Sequence, residues 1–176
     1  YFDTVITAEP TYAGIGRAIR DEIILTNGRN YSASVEIQAF SLDRLVSMKR
    51  VVIPALENGL RVIQDRCCAS TLNYQLLRAM ELGANQSNVR KIILQQEGNK
   101  LQLEYAPDLL IIPTIKDVKE VIKRLKKRKE TRKDDKSIFD NLDSQAKLKP
   151  LYEGRWLREL FESHGTRVKY LDAGIS

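Results

Sequence analysis

The sequence predicts an α/β domain built on a parallel sheet, and three observations carry that reading. Short runs rich in β-branched and apolar residues alternate with stretches of helical periodicity. The run Leu109 to Ile112 is apolar at consecutive positions, as in a strand covered on both faces. Two strands run into polar residues, Glu9 after the first and Asp65-Arg66 after another, where open parallel sheets bind ligands.

Asp3 to Thr7 reads as the first strand, closing at Ala8-Glu9-Pro10. A helix follows from about Gly14, with Ile15, Ile19 and Ile23 spaced by four, and stops near Asn27-Gly28. Ser34 is the expected cap of the next helix, which runs towards Glu57 with Val35, Ala39, Leu42 and Val46 as its apolar stripe and Pro54 as a kink or restart. Leu60 to Gln64 forms a strand. Ser70 or Thr71 then caps a helix holding Leu72, Leu76, Leu77 and Met80. A short helix spans Asn88 to Gln96, and Gly98 to Glu104 carries no clear signal. After the strand opened by Pro107-Asp108 come a basic helix and loop, a helix over Leu151 to Phe161 and a last strand over Arg167 to Leu171.

A chain of 176 residues, 43% hydrophobic and 30% charged, suits one domain with one core. No apolar run approaches the ~20 residues that span a membrane, and no secretory-type start is present, so a cytoplasmic protein is expected. Cys67 and Cys68 match no disulfide or zinc pattern and read as reduced residues of the interior. The net charge of +6 suggests nucleic acid until its distribution is examined. Eleven of the 29 basic residues and five of the 23 acidic ones fall between Lys116 and Lys136, which leaves 18 of each sign elsewhere. A cationic device confined to one segment without interleaved aromatics argues against a nucleic-acid surface.

Three constellations carry chemistry. Phe40 lies roughly 140° around its helix from Val35, off the apolar stripe, with Arg44 one turn beyond. A ring and a planar donor facing one pocket would suit a nucleobase, and the competing reading makes Phe40 part of the core. Asp65-Arg66 at a strand end offers a fork for phosphate and a carboxylate for Mg²⁺ through water; a structural ion pair is the alternative. The cationic segment reads as a solvated helix face or as a lid that neutralises a phosphoryl group in transfer.

The string Asp65-Arg66-Cys67-Cys68-Ala69-Ser70-Thr71-Leu72-Asn73-Tyr74-Gln75 resembles the D-R-x-x-x-S-[ST]-x-x-Y-Q signature of thymidylate kinases. Glu9-Pro10 with Gly14-Ile15-Gly16 and Ile19-Arg20, the helix string Phe40-Ser41-Leu42-Asp43-Arg44, and Pro107-Asp108-Leu109 are similar to further motifs of that family, in family order. The resemblance implies a three-layer P-loop kinase fold: a parallel sheet flanked by helices, forming a single nucleoside-monophosphate kinase-like domain over 1–176, with a basic lid at about 124–139. It implies transfer of a phosphoryl group from ATP to dTMP with Mg²⁺. Phe40 would stack on thymine and Arg44 contact the base or nucleotide. Arg66 would grip the acceptor phosphate, while Asp65 and Glu9 organise Mg²⁺ indirectly. Ser70, Tyr74 and Gln75 would shape the nucleoside pocket, and Arg124, Arg128 and Arg132 are the candidate catalytic lid arginines. A homodimer through the helix from Ser34 to Glu57 is implied as well, with no nucleic acid or membrane as partner.

The sequence departs from the family at Ala8, where Arg is usual, and at Thr114, where Asp is usual. It contains no G-x-x-x-x-G-K-[ST]. The expectation is a strand and a Gly-rich loop preceding Tyr1. The alternatives are a kinase for another pyrimidine monophosphate and a non-catalytic nucleotide-binding relative.

Overall fold

The computed structural model describes residues 3–25, 28–131 and 142–174, and divides into two compact units. Unit 1 comprises Tyr1–Ile23 and Gly28–Tyr105; unit 2 comprises Ile24–Asn27 and Ala106–Ser176.

Unit 1 opens with β1 (Thr4–Ala8), whose β-branched residues suit an extended backbone, and continues into α1 (Gly14–Ile19) and a wide helical turn at Arg20–Ile24, of which Ile24 falls in unit 2. A long helical stretch follows: α2 (Ala33–Ser47), a wider π-type turn at Met48–Val52, and α3 (Ile53–Glu57). Pro54 sits at the start of α3, where its missing N–H costs least, so it restarts the helix. β2 (Arg61–Asp65) then pairs in parallel with β1, from Thr4 opposite Arg61 to Ala8 opposite Asp65. The helices α4 (Cys68–Glu81), α5 (Gln86–Gln95) and α6 (Glu97–Glu104) complete the unit.

Unit 2 pairs β3 (Leu109–Thr114) in parallel with the last strand. Between them run α7 (Val118–Thr131), α8 (Leu142–Tyr152) and α9 (Arg155–Ser163), and β4 (Arg167–Asp172) closes the chain. Val168, Ile112, Leu157, Phe161 and Leu148 are buried in this unit. Among the described residues no helix is long and apolar enough to cross a membrane.

Several sequence expectations change in the fold. The apolar stripe of α2 faces outward, with Val35 44% and Leu42 49% exposed. Its buried side carries Glu36, Ile37, Ser41, Asp43, Arg44 and Ser47, because α2 packs against α4 and α6 across a polar cluster. The cap of α2 is Ser32, whose hydroxyl accepts from the Val35 N–H at 3.3 Å, rather than Ser34. Neither Ser70 nor Thr71 caps α4; the helix starts at Cys68 with Cys67 at the cap position, and the Thr71 hydroxyl serves Arg44 instead.

The strand β3 is covered on one face only: Ile112 is 5% exposed while Ile111 is 52% exposed. The last helix divides in two at Glu153-Gly154, and the polar sequence of α8 gives it too weak a periodicity to be foreseen. The ambiguous stretch after Gln96 is α6. Gly98 is required there, since a Cβ at that position would lie 2.0 Å from the Ser41 carbonyl oxygen. Of the expected lid, positions 124–131 lie on α7, and the remainder, Arg132 included, falls outside the described residues.

Candidate active site

The parallel pairing of β1 and β2 brings their carboxyl ends side by side, and the Glu9 N–H continues the ladder by donating to the Asp65 carbonyl at 2.9 Å. Glu9 and Asp65 therefore leave the sheet together but enter different surroundings. Asp65 is exposed, whereas Glu9 turns into the unit and is buried.

The Glu9 carboxylate meets Arg44, which α2 delivers from the side opposite its apolar stripe. Arg44 Nε donates to Glu9 Oε2 at 2.9 Å, and an Arg44 Nη2 N–H donates to the same carboxylate. Gln64 Nε2 adds a bond to Glu9 Oε1 at 2.6 Å, and Gln102 Nε2 approaches at 3.4 Å. Arg44 further donates to Asn99 Oδ1 and to the Thr71 hydroxyl at 3.2 Å. The guanidinium is 1% exposed, so an unpaired charge here would be severely penalised. Burial pushes the Glu9 carboxyl upward, and Arg44 pulls it back by charge and by hydrogen bonding.

Asn99 is held by its own bond to the Ile93 carbonyl at 2.6 Å, and Gln102 accepts from the Cys68 N–H at 2.6 Å. Cys67 and Cys68 are free thiols, the first half-buried and the second buried. Asp43 accepts from both the Thr11 N–H, at 2.7 Å, and the Thr11 hydroxyl, at 2.6 Å, which ties the segment after Glu9-Pro10 to α2.

Arg66 follows Asp65 with φ of 70°, the only positive φ at a non-glycine position among the described residues. Left-handed backbone costs an ordinary residue on the order of 1 kcal/mol and concentrates at functional sites. The exposed Arg66 guanidinium lies 5.5 Å from the centre of the Tyr74 ring, which α4 presents two turns into its length. Ser70 and Tyr74 are half-buried on α4, and Gln75 is buried beside them. Phe40 is half-buried on α2, one turn before Arg44.

The sequence-derived residues Glu9, Phe40, Arg44, Asp65, Arg66, Ser70, Tyr74 and Gln75 thus all belong to unit 1. Arg124 lies on α7 in unit 2, exposed and paired with Glu120 at 2.7 Å, an interaction that lowers the Glu120 carboxyl. Arg128 lies on the same helix, where its side chain is outside the described residues, as is all of Arg132. Sequence reasoning missed Gln64, Thr71, Asn99 and Gln102 as partners of the Glu9–Arg44 pair. One signal was available in α2, where Glu36, Asp43, Arg44 and Ser47 form a polar stripe of helical spacing around Phe40.

Both Glu9 oxygens are engaged by Arg44, Gln64 and Gln102, so Glu9 orients the guanidinium and does not fit a direct cation ligand. Asp65 is exposed and fits a hydrated Mg²⁺ through water. Among the described residues no group of three His, Cys, Asp or Glu is arranged to hold a metal ion.

Comparison with known proteins agrees with this geometry. The family model described as thymidylate kinase matches residues 1–174. A probable thymidylate kinase of Pyrococcus abyssi is 41% identical over 85 residues, covering 46% of this chain and 41% of that protein. The probable thymidylate kinase of Thermococcus onnurineus is 31% identical over 168 residues, covering 89% and 69%. The thymidylate kinase of Mycoplasma capricolum is 30% identical over 173 residues, covering 98% and 74%. The match to the Pyrococcus protein spans less than half of that protein's length. The solved thymidylate kinase of Candida albicans superimposes with a TM-score of 0.69 at 18% identity, covering 98% of this chain and 73% of its own, which identifies the fold as that of the P-loop kinases. A model match over nearly every residue, joined to the Asp65–Gln75 signature at the end of a parallel strand, means that this chain belongs to the thymidylate kinase family.

Proposed function

We propose that unit 1 carries the acceptor site of a thymidylate kinase, the reaction being ATP + dTMP → ADP + dTDP. The observation that supports this most is the conjunction, at the carboxyl ends of β1 and β2, of the left-handed Arg66 beside Tyr74 and the buried Glu9–Arg44 pair beneath a polar network. An exposed guanidinium at a strand end suits a phosphate, which it meets with charge-assisted, bidentate bonds. Phe40 offers a face for thymine, and Arg44 retains one N–H beyond the four taken by Glu9, Asn99 and Thr71. Tyr74 and Ser70 border the sugar, and Gln75 borders the base.

Mg²⁺ would supply charge neutralisation when bound, with Asp65 as its contact through water. ATP is the proposed phosphoryl donor. The 176 residues contain no phosphate-cradling G-x-x-x-x-G-K-[ST], and none of the residues named above is assigned to the donor phosphates. Arg124, Arg128 and Arg132 are the proposed lid cations. A cytoplasmic location goes with this chemistry. A homodimer would cover the outward stripe of α2, the turn after it and α3, where Val35, Leu42, Val51 and Leu56 are exposed.

Calorimetric titration of the whole chain with dTMP, dUMP and dCMP tests the reading. Tightest binding by dTMP is expected, together with a loss of about 1–3 kcal/mol in Phe40→Ala. A folded chain that binds none of the three removes the acceptor site, and one that prefers dCMP reassigns it to another pyrimidine monophosphate.

A further inference from the structure

Glu36 stands on α2 one helical turn before Phe40 and two before Arg44, and it is completely buried. Neither carboxylate oxygen meets a donor in hydrogen-bond geometry among the described residues. Arg78 of α4 brings Nη1 to 3.1 Å from Oε1 without the alignment of a hydrogen bond, while its Nη2 donates to the Tyr31 carbonyl at 3.3 Å. Gln75 is buried on α4 one turn before Arg78, on the side of that helix that packs against α2, and its carboxamide favours the carboxylate charge. A fold that keeps an incompletely partnered carboxylate beside the nucleoside pocket carries a cost that an apolar residue would avoid.

We propose that Glu36 is a positioning residue that fixes which end of the Gln75 carboxamide faces the nucleobase, and thereby sets the preference for thymine and uracil over cytosine. The inference rests on the acceptor-site reading above, with the base between Phe40 and Gln75. An ionised carboxylate can only accept hydrogen bonds. Gln75 therefore turns its NH₂ towards Glu36 and its carbonyl oxygen away from it. That oxygen accepts from the N3–H of thymine or uracil. Neutral cytosine carries a lone pair at N3, so two acceptors would meet. Without Glu36 the carboxamide rotates at little cost and serves either base. A site with a fixed hydrogen-bond polarity rejects the mismatched base because its buried partner is left unpaired.

The test measures the dissociation constants of dTMP, dUMP and dCMP with the whole chain and with Glu36→Gln, which keeps the shape and removes the charge. In Glu36→Gln the preference over dCMP should fall at least about tenfold, chiefly through tighter dCMP binding. In Gln75→Leu the preference should be lost, and adding Glu36→Gln should change nothing more, since the two residues act as one unit. A folded Glu36→Gln chain with the wild-type ratio overturns the role of Glu36 and leaves the acceptor site standing. A wild-type chain that binds none of the three overturns the site and this role with it. If Glu36→Gln fails to fold, Gln75→Leu decides, and an unchanged ratio there overturns the proposal.

Discussion

Arg66 separates two demands that usually coincide, because its backbone is strained while its side chain is exposed. Arg66→Gly should relieve the left-handed strain and raise stability by up to about 1 kcal/mol. The same change removes the proposed phosphate partner, so dTMP affinity should drop by about 2 kcal/mol or more. Thermal melting and dTMP titration on one variant check both, and loss of stability with intact affinity would make Arg66 a structural residue. Glu36 presents a similar opposition through titration. Burial raises its carboxyl to about 6, against the pull of Arg78 and Gln75. Because its folded value lies above its unfolded value of 4.5, the stability it contributes is present below pH 4.5 and is lost as pH rises through 6. At pH 7 the buried charge therefore costs about 2 kcal/mol relative to acid. Glu36→Gln should exceed wild type by up to that amount in urea denaturation at pH 7, and the gain should shrink towards zero near pH 4.5. A gain that does not vary with pH would separate Glu36 from this titration.

The helices α2 and α6 approach more closely than any side chain at position 98 would permit. A Cβ there would sit 2.0 Å from the Ser41 carbonyl oxygen and 2.9 Å from Leu45 N, both backbone atoms that cannot swing aside. The Gly98 N–H also donates to the Ser41 hydroxyl at 3.1 Å. Gly98→Ala should therefore cost about 1–3 kcal/mol of stability despite the higher helix propensity of Ala. It should weaken dTMP binding too, since the neighbouring Asn99 holds Arg44. Urea denaturation and dTMP titration check it, and a Gly98→Ala chain as stable as wild type would mean that the helices separate without cost. The same contact shows how much was legible beforehand. The strands were readable to within two residues, because β-branched runs ending in polar residues leave few alternatives. The string Asp65 to Gln75 grouped residues that the fold places at the end of β2 and along the first two turns of α4. The buried face of α2 was misjudged because a stripe of Val35 and Leu42 ordinarily points inward, and here the interior is ionic. The partners Asn99 and Gln102 were hidden because α6 lacks an amphipathic pattern and its position depends on Gly98 meeting a residue 57 positions away.

Across the whole molecule, the acceptor residues and the cationic segment fall in different units. Every proposed acceptor residue belongs to unit 1, while the stretch from Lys116 to Lys136 belongs to unit 2 and carries the entire charge excess. That division has a kinetic consequence. In the proposed site, dTMP binding rests on contacts made in the ground state, by Phe40, Arg66 and the network around Arg44. The proposed partners of Arg124, Arg128 and Arg132 are charges that develop only as the phosphoryl group moves. Interactions confined to the transition state appear in kcat and leave ground-state affinity almost untouched. Replacing the three arginines together by Gln should lower turnover by on the order of a hundredfold, while the dTMP dissociation constant changes by less than about threefold. Arg124→Gln alone should do less, and it leaves Glu120 with Lys123 as its cationic partner at 3.8 Å, so the Glu120 carboxyl should rise. Steady-state kinetics with ATP and Mg²⁺, on protein that includes a donor-phosphate loop, beside dTMP titration of the same variants, distinguishes the outcomes. An unchanged kcat would make the segment a solvated helix face. An equal loss in kcat and in dTMP affinity would instead mean that the arginines hold the acceptor itself.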